Sequence, residues 1–307
     1  MGISVINADE NKAGIWYGVV AYTLWGILPL YWKLMQAVPP IEILAHRFLW
    51  SIVFMFLLVI FTSGWKTVAA GFADKKKLLL MFLCGILVSI NWFTYIFAVN
   101  TGHVIEASMG YFINPLVVVI LGVAVFKEKM TRWQLAAVIL AAIGVLMITV
   151  QYGRVPWISL FLAVSFAAYG LVKKIIRVDS ITGLTMETLV IMPVALFYII
   201  NLEKNAVGAL GSAALTTVLF LAGTGVITAV PLIFYARGIE KTTFSMMGFL
   251  QYIAPSISLF LGIFIFKEYF SLFHLVSFCF IWAALLIFTL DSVGIIRDPF
   301  LVRTEKL

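Results

Sequence analysis

Ten apolar stretches, at residues 14–36, 41–62, 78–99, 104–126, 133–150, 156–172, 181–200, 213–236, 243–266 and 271–290, divide this chain, and each is near the length of a bilayer crossing. A hydrocarbon core of about 30 Å takes about 20 residues of α-helix. The stretches are continuous apolar blocks separated by turns, whereas a barrel strand would alternate apolar and polar residues, so the spans are predicted to be helical. Hydrophobic residues make up 63% of the 307 and charged residues only 11%, against about 25% charged in soluble domains. That composition excludes a water-soluble fold. The expected class is an all-α membrane protein of ten transmembrane helices.

The net charge of +7 raises nucleic acid as a partner, but the placement of the cations argues for orientation instead. Of the 21 Lys and Arg residues, only Lys33, Arg154, Lys204 and Lys267 fall on the face opposite the termini, and Arg47 falls within a span. The rest, including Lys75, Lys76, Lys77, Lys173 and Lys174, are assigned to the termini side. This positive-inside bias predicts cytoplasmic termini. No cleavable signal peptide is expected, because Met1 to Ala13 is polar and the following apolar run is too long. Cys84 and Cys279 fall within apolar spans, where small buried hydrophobes are the expected role.

Shifting the chain by 140 residues aligns Gly85 with Gly225, Tyr95 with Tyr235 and Pro115 with Pro255. In the same register Gly122-Val-Ala-Val-Phe-Lys-Glu128 matches Gly262-Ile-Phe-Ile-Phe-Lys-Glu268. A duplication follows, with five-helix repeats at 14–150 and 156–290 and cytoplasmic tails at 1–13 and 291–307. An odd number of spans per repeat starts the second on the opposite face, so the repeats are inverted. Inverted repeats are a hallmark of secondary transporters, whose sites lie near the midplane between the halves.

The fourth and ninth spans, Glu106-Ala-Ser-Met-Gly-Tyr-Phe-Ile-Asn-Pro115 and Gly248-Phe-Leu-Gln-Tyr-Ile-Ala-Pro255, resemble those of the EamA-type branch of the drug/metabolite transporter superfamily. More narrowly, the chain resembles the RarD, or chloramphenicol-sensitivity protein, family of bacteria. The matching segments run from Tyr22-Thr-Leu-Trp-Gly26 through Pro29-Leu-Tyr-Trp-Lys33, Glu42-Ile-Leu-Ala-His-Arg47 and Asn91-Trp-Phe-Thr-Tyr95 to Thr182-Gly-Leu-Thr-Met-Glu187, Phe280-Ile-Trp282 and Asp291-Ser292. The resemblance implies a ten-helix bacterial inner-membrane transporter with a cavity between the repeats, and implies no particular substrate.

An ionised side chain deep in hydrocarbon costs about 2.5–3.5 kcal/mol on insertion scales, so such residues face a partner or a wet cavity. Arg47 lies about 9 Å inside the second span. Glu187 is its repeat equivalent in the seventh, and the two differ in depth by about 12 Å if both helices stand upright, which argues against direct contact. Each either serves the transport path, Arg47 holding an anionic group and Glu187 a proton or cation, or bonds to a neighbouring helix. His46 points about 100° away from Arg47, and an interhelical hydrogen bond is expected for it. Glu106 opens the fourth span, where its carboxylate favours the positive helix end.

Asn91, Trp92, Tyr95, Tyr111 and Asn114, with Tyr235, Gln251 and Tyr252 in the second repeat, bring hydrogen-bonding groups into the spans and suit an amphipathic or aromatic substrate, or else join helices. Pro115 and Pro255 each free a backbone carbonyl, and Trp25, Gly26 and Pro29 make the first span irregular, so these five are candidate gates or hinges. Ala137, Ala141 and Gly144 mark the fifth span as scaffold. The expected function is secondary transport, as an exporter, of a small organic metabolite or drug-like molecule across the bacterial cytoplasmic membrane. Partners are that substrate and the lipid bilayer, with coupling, if any, to protons or to the membrane potential. A homodimer is allowed; no cofactor, metal or nucleic acid is called for. The absence of a P-loop argues against ATP hydrolysis. An intramembrane enzyme using Glu187 and Arg47 and a passive channel or structural protein are the competing classes, and the enzyme lacks a recognisable nucleophile.

Overall fold

The computed structural model describes residues 8–62, 64–101, 103–153, 155–176, 178–265 and 272–296. Phe266-Lys267-Glu268 of the repeat motif, Arg154, Arg177 and most of both tails lie outside the described residues. The helices are α1 (Ala8–Trp32), α2 (Pro40–Phe61), α3 (Gly64–Ala73), α4 (Lys75–Asn100), α5 (Val104–Phe126), α6 (Arg132–Tyr152), α7 (Trp157–Ile176), α8 (Ser180–Lys204), α9 (Ala209–Ser212), α10 (Leu215–Lys241), α11 (Phe244–Leu250), α12 (Ile253–Phe264) and α13 (Leu272–Ser292). Among the described residues ten helical segments are long and apolar enough to span a membrane, α11 and α12 counting as one. Large apolar side chains such as Phe61, Phe197, Leu219 and Leu286 stand exposed, which a lipid surround requires and water would penalise.

Packing is reciprocal between the first and last five spans. The pairs α5 with α7 and α1 with α12, α1 with α10 and α4 with α7, and α2 with α10 and α4 with α8 are counterparts, while α2 with α8, α5 with α11 and α6 with α13 are self-paired. Exchanging each span for the one five later maps these contacts onto one another, a pattern compatible with two repeats. The close approaches follow small residues. A Cβ on Gly225 of α10 would overlap the Trp50 carbonyl of α2, and its repeat mate Gly85 on α4 faces the Glu187 carbonyl of α8. The scaffold reading of Ala137, Ala141 and Gly144 matches their burial in α6, where Gly144 packs on the Ser277 carbonyl of α13. Thr131 at the head of α6 donates to Asp291 at 2.8 Å, fastening the same pair at its other end.

Four local features depart from the sequence expectation. Residues 64–73, expected as connection, form α3, because Val68 buries its side chain, Gly71 lets Met186 of α8 approach and Trp65 packs on Phe56 at 4.6 Å. The first span runs unbroken through Pro29. The ninth is the broken one. Pro255 has no N–H for the Gln251 carbonyl, which accepts from Ala254 at 3.2 Å instead, and tight turns at Gln251 and Tyr252 separate α11 from α12. Pro115, its repeat mate, sits inside a continuous α5. Finally, Cys84 is buried but Cys279 is exposed, its side chain lying on the outer surface of α13 where lipid satisfies it as well as a core would.

Glu128, noticed in the sequence only as part of the Phe-Lys-Glu motif, holds the start of α11. Its carboxylate accepts from the Phe244 and Ser245 amides at 2.6 and 2.9 Å and from the Ser245 hydroxyl at 2.6 Å. These are orphan donors at a helix N-terminus. Glu128→Ala is expected to lower stability in detergent by about 1–2 kcal/mol, measured by denaturant unfolding, and Glu128→Gln by less.

Candidate functional site

Arg47 lies about two turns into α2 from its Pro40 start. Close contact of α2 with α10 at Gly225 is reinforced by Ser51, whose hydroxyl donates to the Gly225 carbonyl at 3.3 Å. Three residues further along α10, the Thr228 hydroxyl accepts from Arg47 Nε at 3.0 Å. The guanidinium carbon stands 4.0 Å from the ring centre of Trp92 on α4 and 5.1 Å from that of Trp32 at the end of α1, favourable cation–π placements. Phe48 backs Trp92 at 5.5 Å. Tyr95 and Tyr111, whose rings meet edge to face at 5.8 Å, are within electrostatic reach of Arg47. Arg47 is half-buried, while Tyr95 and Tyr111 keep 36% and 46% of their surface accessible. A cation within a span is costly against lipid and calls for a partner or water, which makes the accessible side of this group the candidate recess.

Glu187 occupies the opposite side of the midplane, in the half of the protein nearer the termini. Asp179 fixes the start of α8 by accepting from the Ile181 and Thr182 amides, which sets Glu187 two turns in. Its Oε1 accepts from Lys173 Nζ, and its Oε2 from the Tyr169 hydroxyl at 3.2 Å. All three are buried. Tyr169 stacks on Tyr235 at 6.2 Å, and Tyr22, Trp25 and Phe166 close around Tyr235 at 5.5–6.1 Å. Ion pair and aromatic cluster pack next to each other through Tyr169. A cavity of about 10 Å³, room for about one water, lies between the two charges; Trp92 and Thr228 line it from the Arg47 side and Glu187 and Thr188 from the other. Arg47 and Glu187 do not form an ion pair.

The chain that carries these residues has relatives among known proteins. The EamA-like transporter family matches residues 12–150, the first five spans. An uncharacterized transporter of Bacillus subtilis (strain 168), YojE, is 46% identical over 287 residues, 92% of this chain and 96% of its own length. Protein RarD of Salmonella typhi is 41% identical over 94% of this chain and 98% of its own, and that of Escherichia coli (strain K12) 38% identical over 94% and 97%. The chain belongs to the RarD family of EamA-type transporters. A crystal structure of another protein, 16% identical, superposes with a TM-score of 0.72 over 92% of this chain and 98% of its own, which shows a shared fold. The RarD-family protein is therefore a multi-pass membrane transporter with a small-molecule substrate.

The other sequence candidates divide between joining helices and surrounding the two charges. Asn91 donates to the Leu162 carbonyl and the Ser165 hydroxyl, both at 2.9 Å, and Asn114 donates to the Ala163 carbonyl, so both amides tie α7 to α4 and α5. Tyr252 donates to the Phe112 carbonyl at 3.2 Å, joining the α11–α12 break to α5. Gln251 is buried in the same break with its side-chain oxygen unpartnered. Gly26 brings α1 onto α12 at Ile257. Glu106 reaches across to accept from the Tyr152 hydroxyl at 2.5 Å and the Ile158 amide at 3.3 Å, anchoring the head of α7. The interhelical hydrogen bond expected of His46 is absent: neither ring nitrogen has a hydrogen-bond partner, and the nearest carboxylate, Glu42 on the same helix, stands at 3.9 Å because it is engaged by the Ala209 amide at 2.6 Å.

Lys173 is the main residue whose role sequence reasoning missed. Counted among termini-side cations, it lies inside α7 and is buried against Glu187. Tyr169 and Lys173, one turn apart on α7, share a face, and that spacing ahead of a buried carboxylate in the next span was the available signal. Thr228 and Trp32 were also passed over; neither carries a sequence signal, since only tertiary packing turns them toward Arg47.

Proposed function

We propose that this protein is a secondary transporter of the bacterial cytoplasmic membrane, built as two inverted repeats with both termini cytoplasmic, that exports a small organic metabolite or drug-like molecule by alternating access coupled to protons. The observation that carries this reading is the Arg47 recess. It draws on α2, α4 and α5 of the first five spans and α10 of the last five, and it keeps accessible surface while the termini side is closed by Lys173, Glu187 and Tyr169. In a carrier of this kind the substrate sits where the two halves meet, and opening to the other face requires the closed contacts to separate. The buried Lys173–Glu187 pair is then the contact whose rupture opens the termini side, with protonation of Glu187 releasing Lys173. The resemblance to drug-phenotype proteins supports export over import.

Purified protein in proteoliposomes tests this. Saturable counterflow that accelerates with an imposed proton gradient is expected. Flux that rises linearly with solute concentration and shows no counterflow would point to a passive pore, and chemical conversion of the solute to an intramembrane enzyme.

A further inference from the structure

The partners of Arg47 identify what the recess is built to take. An arginine at this depth needs a counter-charge, yet among the described residues no carboxylate pairs with it, and Glu187, across the neighbouring cavity, is held by Lys173 and Tyr169. Among the described residues, the hydrogen bond of Arg47 runs from its Nε to Thr228. Trp92 and Trp32 lie against the guanidinium, so the two terminal amino groups remain, the forked edge that matches a carboxylate with two parallel hydrogen bonds. Tyr95 and Tyr111 are the titratable groups that act on it, and their hydroxyls can donate to the same oxygens. A single guanidinium matches one negative charge and leaves a phosphate dianion over-charged. The indole walls of Trp92 and Trp32 suit an apolar or aromatic body.

Resting on the transporter reading, we propose that Arg47 binds the carboxylate of a monoanionic organic acid whose remainder is aromatic or otherwise apolar. The forked edge receives the two carboxylate oxygens, and the aromatic walls receive the body.

The test is ligand-dependent thermal unfolding and tryptophan fluorescence of the full-length protein in nanodiscs. The probes are a panel of aryl- and alkyl-acetates led by phenylacetate, each paired with its amide, with phenethylamine and inorganic phosphate alongside. Saturable stabilisation by carboxylates and not by their amides is expected. Arg47→Gln should weaken it at least about tenfold. Arg47→Lys, which keeps the charge and loses the fork, should fall between, and gel filtration of both variants separates lost binding from lost folding. Equal stabilisation by amides, amine or phosphate overturns the proposal, as does retained affinity in Arg47→Gln or no carboxylate response across the panel. Counterflow of a neutral solute that Arg47→Gln leaves intact would overturn the carboxylate assignment and keep the transporter reading. Carboxylate binding without counterflow of any bound acid would do the reverse.

Discussion

Lys173→Met is expected to lower the unfolding free energy of the detergent-solubilised protein by about 3–5 kcal/mol, because it strands the Glu187 carboxylate in a dry interior with only the Tyr169 hydroxyl left to it. Glu187→Gln strands the Lys173 ammonium and should cost a comparable amount. The double variant Lys173→Met/Glu187→Gln removes both charges, keeps an acceptor for Tyr169, and should recover most of the loss, since a buried pair replaced by neutral groups is often no less stable. Unfolding in SDS or urea of all four proteins makes the cycle. A double variant as unstable as either single one would show that the cost comes from packing and not from an unpaired charge. Proton-driven transport separates structure from function here. If the pair is the releasable contact on the termini side, the refolded double variant binds substrate yet loses acceleration by a proton gradient. The pair thus makes neutralising Glu187 a change to folding as well as to transport.

Gly225→Ala is the second large effect. Its methyl would overlap the Trp50 carbonyl and stand 2.8 Å from the Ser51 amide nitrogen, so α2 and α10 must part. Overpacking of this kind costs about 1–3 kcal/mol. Parting also stretches the Ser51–Gly225 and Arg47–Thr228 hydrogen bonds, so transport should fall by more than the stability loss explains, about tenfold or more for a hydrogen bond to a charged group. Gly85→Ala is the internal comparison. A methyl there would meet the Glu187 carbonyl at 3.3 Å and Ile191 at 3.5 Å, contacts that a small shift relieves. Equal sensitivity at both glycines, measured by unfolding and by counterflow, would contradict this account.

What the sequence made legible was what repeats. Ten spans, reciprocal helices and the glycines at 85 and 225 were readable because lipid imposes length and close packing imposes small residues, each leaving a trace at fixed spacing. The charges were half legible. Arg47 and Glu187 stood out because insertion is costly, but Lys173 did not, since a lysine near a span end has the same appearance whether it reaches headgroups or turns inward. Asn91 and Asn114 look alike whether they face a solute or a neighbouring carbonyl, and the structure gives both to α7. The break at Gln251 was foreseen as a proline effect at two positions and occurs at one, because Pro115 is accommodated by a continuous α5 while Pro255 opens a new helix.

The bond from Arg47 to Thr228 joins one half of the protein to the other, and the same guanidinium is the positive charge proposed to hold the ligand. Ligand occupancy and the angle between the halves are therefore two variables of one thermodynamic cycle. A molecule that draws the guanidinium toward itself alters the energy of the joint, and by reciprocity whatever fixes the joint alters the dissociation constant by the same factor. A crosslink that locks α2 to α10 would consequently report on affinity as faithfully as a change to the recess itself.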